Sequence, residues 1–149
     1  MKKSCFDVAA SCLCTKIRKA ARAITSHYDD ALRPCGLRST QFTLLIAASL
    51  SSEHSISELA DQLGMDRTTL SRNIKPLVRD GFVTLSNDHP GRTVVVALTP
   101  KGRRALDRAL PMWQDAQRRL TRRFGAIDTQ ELDARLDRLA SMGAQRRLR

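Results

Sequence analysis

Two groups of residues in this 149-residue chain could do chemistry. The first is a set of thiols: Cys5, Cys12, Cys14 and Cys35 all fall in the first quarter of the sequence. A thiolate is a nucleophile, a reductant and a soft metal ligand. The cluster therefore suits oxidation, capture of an electrophile, or binding of zinc or trivalent arsenic. Packing is the default role of any single cysteine, and a structural disulfide framework is not expected in a cytoplasmic protein; it is the clustering that points further. On a continuous helix Cys12 and Cys14 point about 200° apart, a poor chelate. Cys5 and Cys12 share a face but lie about 10 Å apart along the axis, beyond the reach of a disulfide. Cys14 shares a stripe with Ala21, Thr25, Tyr28 and Leu32. Arg18 one turn on, and the positive end of the helix, favour its thiolate.

The second group lies between Asp66 and Arg79. Projected at about 100° per residue, Leu70, Ile74, Leu77 and Val78 form one side of a helix, while Thr68, Arg72, Lys75 and Arg79 gather on the other with Ser71 at the edge. A short polar face with several cations and few acids fits the DNA major groove. There Arg and Lys meet guanine acceptors, and Thr or Ser reach base edges or phosphates. Formal net charge is +11, from 26 basic and 15 acidic residues, which favours a polyanionic partner. Residues 101–149 carry 13 of those basic residues against six acids; this is read as a solvated helical surface.

Other chemistries lack their residues. His27, His54 and His89 have no ligand spacing to the cysteines or to one another. Cys14 and His27 are about 20 Å apart on one helix, so they make no dyad. No phosphate loop, paired-carboxylate site or metal motif is present, and the expectation is a non-enzyme without a cofactor. No apolar run approaches the roughly 18 residues of a membrane span. Asp7 and the basic run from Lys16 to Arg22 interrupt any signal-peptide pattern at the N-terminus.

The elements that must position these groups follow from local rules. Apolar content of 42% is enough for one core. A first helix is expected from about Asp7 to Leu32, carrying Leu13, Ile17, Ala20, Ala21, Ile24, Tyr28 and Leu32, broken by Pro34 and Gly36. Ser39 can cap a helix from Gln41 to Leu50, whose run is nearly all apolar. Ser55 with Glu58 forms a capping box, Gly64 can take the positive φ that ends that short helix, and Asp66 caps the next. Pro76 removes one backbone bond and bends its last turn. Phe82–Leu85 and Thr93–Leu98 are β-rich runs about a turn that carries Arg92. Thr99 and Pro100 start a long helix with Leu106, Leu110, Trp113, Leu120 and Phe124, kinked or broken at Pro111 and ended by Gly125. Asp128 with Glu131 starts a last helix carrying Leu132, Leu136 and Leu139. The fold class is mainly α with a small β-hairpin wing: a winged helix-turn-helix lobe over 39–99 in a single 1–149 domain. The outer helices, 7–33 and 100–149, have apolar stripes with little to pack on, so a homodimer through them is expected.

The chain resembles the MarR family of bacterial winged-helix repressors. The resemblance rests on Asp66-Arg67-Thr68-Thr69, on Leu77-Val78-Arg79-Asp80-Gly81-Phe82-Val83, and on Arg92 six residues before Leu98-Thr99 and Lys101-Gly102. The family commonly has an Asp two residues before the wing Arg, where Pro90 stands here. The resemblance implies a homodimeric DNA-binding regulator on a pseudo-palindromic double-stranded operator, with Thr68, Thr69, Ser71, Arg72 and Lys75 in the major groove, Arg92 at the wing, and Arg67 a further DNA-binding residue. In the organic-hydroperoxide-sensing branch of that family, a reactive Cys early in the first helix is hydrogen-bonded by a Tyr fourteen residues on. Cys14 and Tyr28 reproduce the spacing. Arg18 and Ser39 replace that branch's other tyrosines, and no second Cys occurs in the C-terminal half. Three inducer classes stay open: an oxidant or electrophile at Cys14, resolved by Cys5, Cys12 or Cys35; a soft metal or metalloid held by Cys5, Cys12, Cys14 and Cys35 across the dimer; or a small phenolic or aromatic acid.

Overall fold

Side-chain caps, each three residues from the amide it serves, set the boundaries of the central part of the molecule. The computed structural model describes residues 10–50, 54–86 and 94–147. Cys5 and Arg92, with the rest of the turn 87–93, lie outside the described residues. Ser55 Oγ accepts the Glu58 amide at 3.1 Å and Glu58 Oε2 accepts the Ser55 amide at 2.8 Å, the reciprocal box expected. It starts a short helix, Ile56–Gln62, which is followed by Gly64 at φ +62. Asp66 accepts the Thr69 amide at 2.8 Å and its hydroxyl at 2.7 Å and opens Arg67–Arg79, which runs uninterrupted through Pro76. Gly81 at φ +72 closes it, with Phe82 N–H on Leu77 O and Gly81 N–H on Val78 O, a Schellman ending.

In chain order the helices are α1 (Leu13–Leu32), α2 (Ser39–Leu50), α3 (Ile56–Gln62), α4 (Arg67–Arg79), α5 (Pro100–Phe124) and α6 (Ala126–Arg147), with a 3-10 turn at Arg33–Cys35. The strands are β1 (His54–Ser55), β2 (Val83–Ser86) and β3 (Val95–Leu98). They form one antiparallel sheet in the order β1-β3-β2, with Val83 opposite Leu98 and Ser55 opposite Val95. The expected two-stranded hairpin thus gains a third strand. The architecture is mainly α with a small β wing.

Several boundaries differ from expectation. The helix expected from about Asp7 is interrupted at Cys12, which is extended (φ −65, ψ 112) and stands as the N-cap of α1. Ser39 lies inside α2 instead of capping it, because Asp29 Oδ1 of α1 takes the Ser39 amide at 2.6 Å. Pro111 does not break α5. Both Pro111 and Asp107, the residue whose carbonyl loses its amide partner, are exposed, so water can serve that carbonyl. The Asp128–Glu131 box does not form. Gly125 at φ +106 turns the chain directly into α6, its carbonyl takes the Thr129 amide and hydroxyl, and Glu131 pairs with Arg135.

The core gathers Leu32, Leu37, Phe42, Leu45, Leu59, Leu70, Ile74, Leu77, Val83 and Val96. Against it α5 buries small residues: Gly102, Ala105, Ala109 and Ala116, with Leu106 the one large member. The outer apolar stripes stay uncovered. Leu13 is 58% exposed on α1, and Ile127 and Met142 are 73% and 68% exposed on α6. No helix among the described residues is long and apolar enough to cross a membrane.

Candidate nucleic-acid interface and thiol site

Helix α4 is held on the core by Leu70, Ile74 and Leu77, spaced four and three residues apart so that all three fall on one side. Val78, expected on that side, is 37% exposed. The opposite side presents Arg67, Thr68, Arg72 and Lys75 as exposed residues, with Thr69 and Ser71 half-buried at its margin. The Thr69 hydroxyl is engaged by Asp66, whose carboxyl is held below its ordinary range by that hydroxyl and the Thr69 amide. Arg79 is also exposed, but its Nε and Nη2 reach the Asp80 carboxylate at 2.8 and 3.3 Å. The free cations of the face therefore belong to the first three turns of α4.

The described thiols sit at the two ends of α1. Cys14 is exposed at the second helical position and Cys12 is half-buried at the cap. The hydroxyl and amide of Thr15 hold the Cys12 thiol below its ordinary pKa, because both are donors to the thiolate. Cys35 lies beyond the other end of a 20-residue helix, about 30 Å away, with Sγ 3.3 Å from Met112 Sδ of α5. A site shared by Cys35 and the other two thiols would need a second protomer.

Tyr28 is likewise about 21 Å from Cys14 along α1. Its hydroxyl donates to Gln117 Oε1, its ring stacks on Trp113 at 6.3 Å, and Trp113 stacks on Phe42 at 6.1 Å. Burial pushes the Tyr28 phenol pKa up. His27, one residue earlier, places Nε2 3.0 Å from Ala116 O. Beside the stack, Phe42, Thr43, Ile46, Leu110 and Trp113 line a cavity of about 230 Å³. Gln117 and Met112 are site neighbours that the sequence did not reveal. They meet Tyr28 and Cys35 across 89 and 77 residues, a separation with no local pattern.

Residues 46–102 match the winged helix DNA-binding domain family. Over 92% of its length the chain is 39% identical to the Mycobacterium tuberculosis transcriptional regulator MosR in complex with DNA, covering 99% of that chain with a TM-score of 0.84. The chain belongs to the MarR family of winged-helix regulators. As a member it is a DNA-binding transcriptional regulator and not an enzyme. A second MosR structure, also at 39% identity, covers 90% of this chain and 98% of that chain with a TM-score of 0.75. The same fold is shared with CouR from Rhodococcus jostii bound to p-coumaroyl-CoA, at 21% identity, covering 88% of this chain and 93% of that chain with a TM-score of 0.72. No curated protein sequence matches the chain.

Proposed function

We propose that this MarR-family regulator is a homodimeric repressor of a pseudo-palindromic operator, released when Cys14 is oxidised or modified. The exposed face of α4 supports the reading of DNA by Arg67, Thr68, Thr69, Ser71, Arg72 and Lys75, with Arg92 at the wing. The uncovered stripes of α1 and α6 support the dimer, since contiguous exposed apolar surface favours a partner. One observation carries the sensing step: an exposed thiol, Cys14, in the first turn of a helix whose apolar stripe is uncovered, two residues from a thiol whose pKa is lowered.

In that step the Cys14 thiolate attacks the distal oxygen of a hydroperoxide, the alcohol leaves, and a sulfenic acid remains. Cys12 is the described thiol best placed to follow. Its thiolate attacks the Cys14 sulfur, the S–O bond breaks as the disulfide forms, and the sulfenic oxygen leaves as hydroxide that takes a proton from solvent to become water. Strain at the start of α1 then alters the separation of the two recognition helices, and both half-sites are no longer met together.

Binding of the reduced protein to its own upstream DNA tests this, repeated after organic hydroperoxide and again after a dithiol reductant. Oxidant releases the wild type reversibly and leaves Cys14→Ser bound. Release of Cys14→Ser to the same extent refutes the assignment. The aromatic-lined cavity beside Trp113 favours a second reading, a single-ring aromatic acid as inducer; DNA release by such an acid from Cys14→Ser and wild type alike supports it.

A further inference from the structure

The Schellman ending of α4 uses the carbonyls of Leu77 and Val78. The next three carbonyls past the helix, of Asp80, Gly81 and Phe82, are taken by the start of α5, its N-cap Thr99 and Lys101. Lys101 Nζ donates to Asp80 O at 2.7 Å. The Thr99 hydroxyl lies 2.7 Å from Gly81 O and 3.1 Å from Phe82 O, and the Thr99 amide donates to Phe82 O at 3.0 Å. The Lys101 ammonium also stands 5.2 Å from the centre of the Phe82 ring, a cation–π distance. It helps to hold the Asp80 carboxyl below its ordinary range, after the larger contribution of Arg79. Gly102 completes the contact from below: a Cβ there would lie 2.0 Å from Phe82 O. Only a residue without a side chain lets the two backbones approach this closely.

We propose that Thr99, Lys101 and Gly102 form a clasp that fixes the angle of the recognition helix to α5, making Lys101 and Gly102 positioning residues for operator binding that act without touching DNA. The lever arms make the angle matter. Helix α4 has 13 residues, about 20 Å, so a tilt of about 10° at the clasp carries its far end, where Arg67 and Thr68 lie, by about 3 Å. That is the length of a hydrogen bond to a base. About four turns further along, at Ala116 and Gln117, α5 holds α1 through His27 and Tyr28. One unbroken helix of 25 residues therefore joins the base-reading surface to the helix that carries Cys14.

The test compares wild type, Lys101→Met and Gly102→Ala in full-length protein by operator affinity, its dependence on salt, and the urea unfolding midpoint. Lys101→Met keeps the aliphatic stem and removes the donor and charge. We expect operator affinity to fall roughly three- to tenfold, with the salt slope and the unfolding midpoint close to wild type. Gly102→Ala, which must part the two backbones, loses more; if it does not fold, Lys101→Met decides alone. Unchanged operator affinity in Lys101→Met overturns the proposal. So does a fall in salt slope of about one per subunit, because that marks Lys101 as a phosphate contact.

Discussion

Replacing Arg72 by Ala is the sharpest test of how this protein reads DNA. Arg72 lies mid-helix on the exposed side of α4, opposite Leu70 and Ile74. Unlike Arg79, whose guanidinium is engaged by Asp80, it is available to a base. A bidentate contact to a guanine is worth about 1–3 kcal/mol of discrimination. A two-fold dimer makes that contact twice, so Arg72→Ala should cost about 2–6 kcal/mol on a symmetric operator, from about thirtyfold to four orders of magnitude. Fluorescence anisotropy with operator and with a scrambled duplex of the same composition, over a range of salt, separates the outcomes. Base reading predicts a large loss on operator and a small one on scrambled DNA. Equal losses on both, with a salt slope lower by about one per subunit, place Arg72 on phosphate and refute base reading. Unchanged affinity on both refutes the recognition-face assignment altogether.

The packing beneath that face and the caps beside it give two further predictions. Leu70 is fully buried under α4, so Leu70→Ala should lower the unfolding free energy by about 2–5 kcal/mol, read from urea denaturation; a change below about 1 kcal/mol would mean the site collapses around the gap. The carboxyls of Glu58 and Asp66 titrate below their ordinary values because each accepts hydrogen bonds at a helix start, from Ser55 and Thr69 respectively. Their stabilisation is complete above the unfolded-state values of about 4 and is lost as pH falls through the depressed native values. Asp66→Asn retains a capping oxygen without a titrating charge, so its stability should decline less steeply with acid than that of wild type, and parallel acid profiles would disprove the linkage.

Much of what is decided within a few residues could be read from the sequence, although the Ser39 cap and the Asp128–Glu131 box did not form, each displaced by another partner. Ser55 with Glu58, Asp66 with Thr69, and Thr99 with Gly102 act over three positions, and each of these helices starts where its capping residue placed it. The family resemblance was legible too, because the Asp66–Thr69 and Leu77–Val83 motifs are contiguous. Strand β1 was not: two residues carry no pattern, and only pairing with Val95 and Val96 makes His54–Ser55 a strand. The buried side of α5 was equally silent, since Gly102, Ala105, Ala109 and Ala116 give little apolar signal while Leu110 and Phe124 on its outer surface give much. Periodicity shows that a stripe exists and not whether its cover comes from the same chain. Tyr28 illustrates the limit at the candidate site: its spacing to Cys14 could be counted, but its bond to Gln117 depends on how two distant helices pack.

The long reach of α1 has a consequence for how the protein is made. Every contact of the clasp joins residues at most 21 apart, whereas His27 and Tyr28 meet α5 across 89. At a translation rate of about 5–20 residues per second, some 4–18 s separate synthesis of these two ends of the contact. The winged-helix half can therefore assemble on the ribosome while α1 still awaits α5, and assembly of the proposed dimer would come later again. During that interval the apolar stripe from Leu13 to Ile24 and the thiols of Cys12 and Cys14 face the cell uncovered, so the nascent chain is vulnerable to aggregation and adventitious oxidation at the same segment that the mature regulator would use to sense.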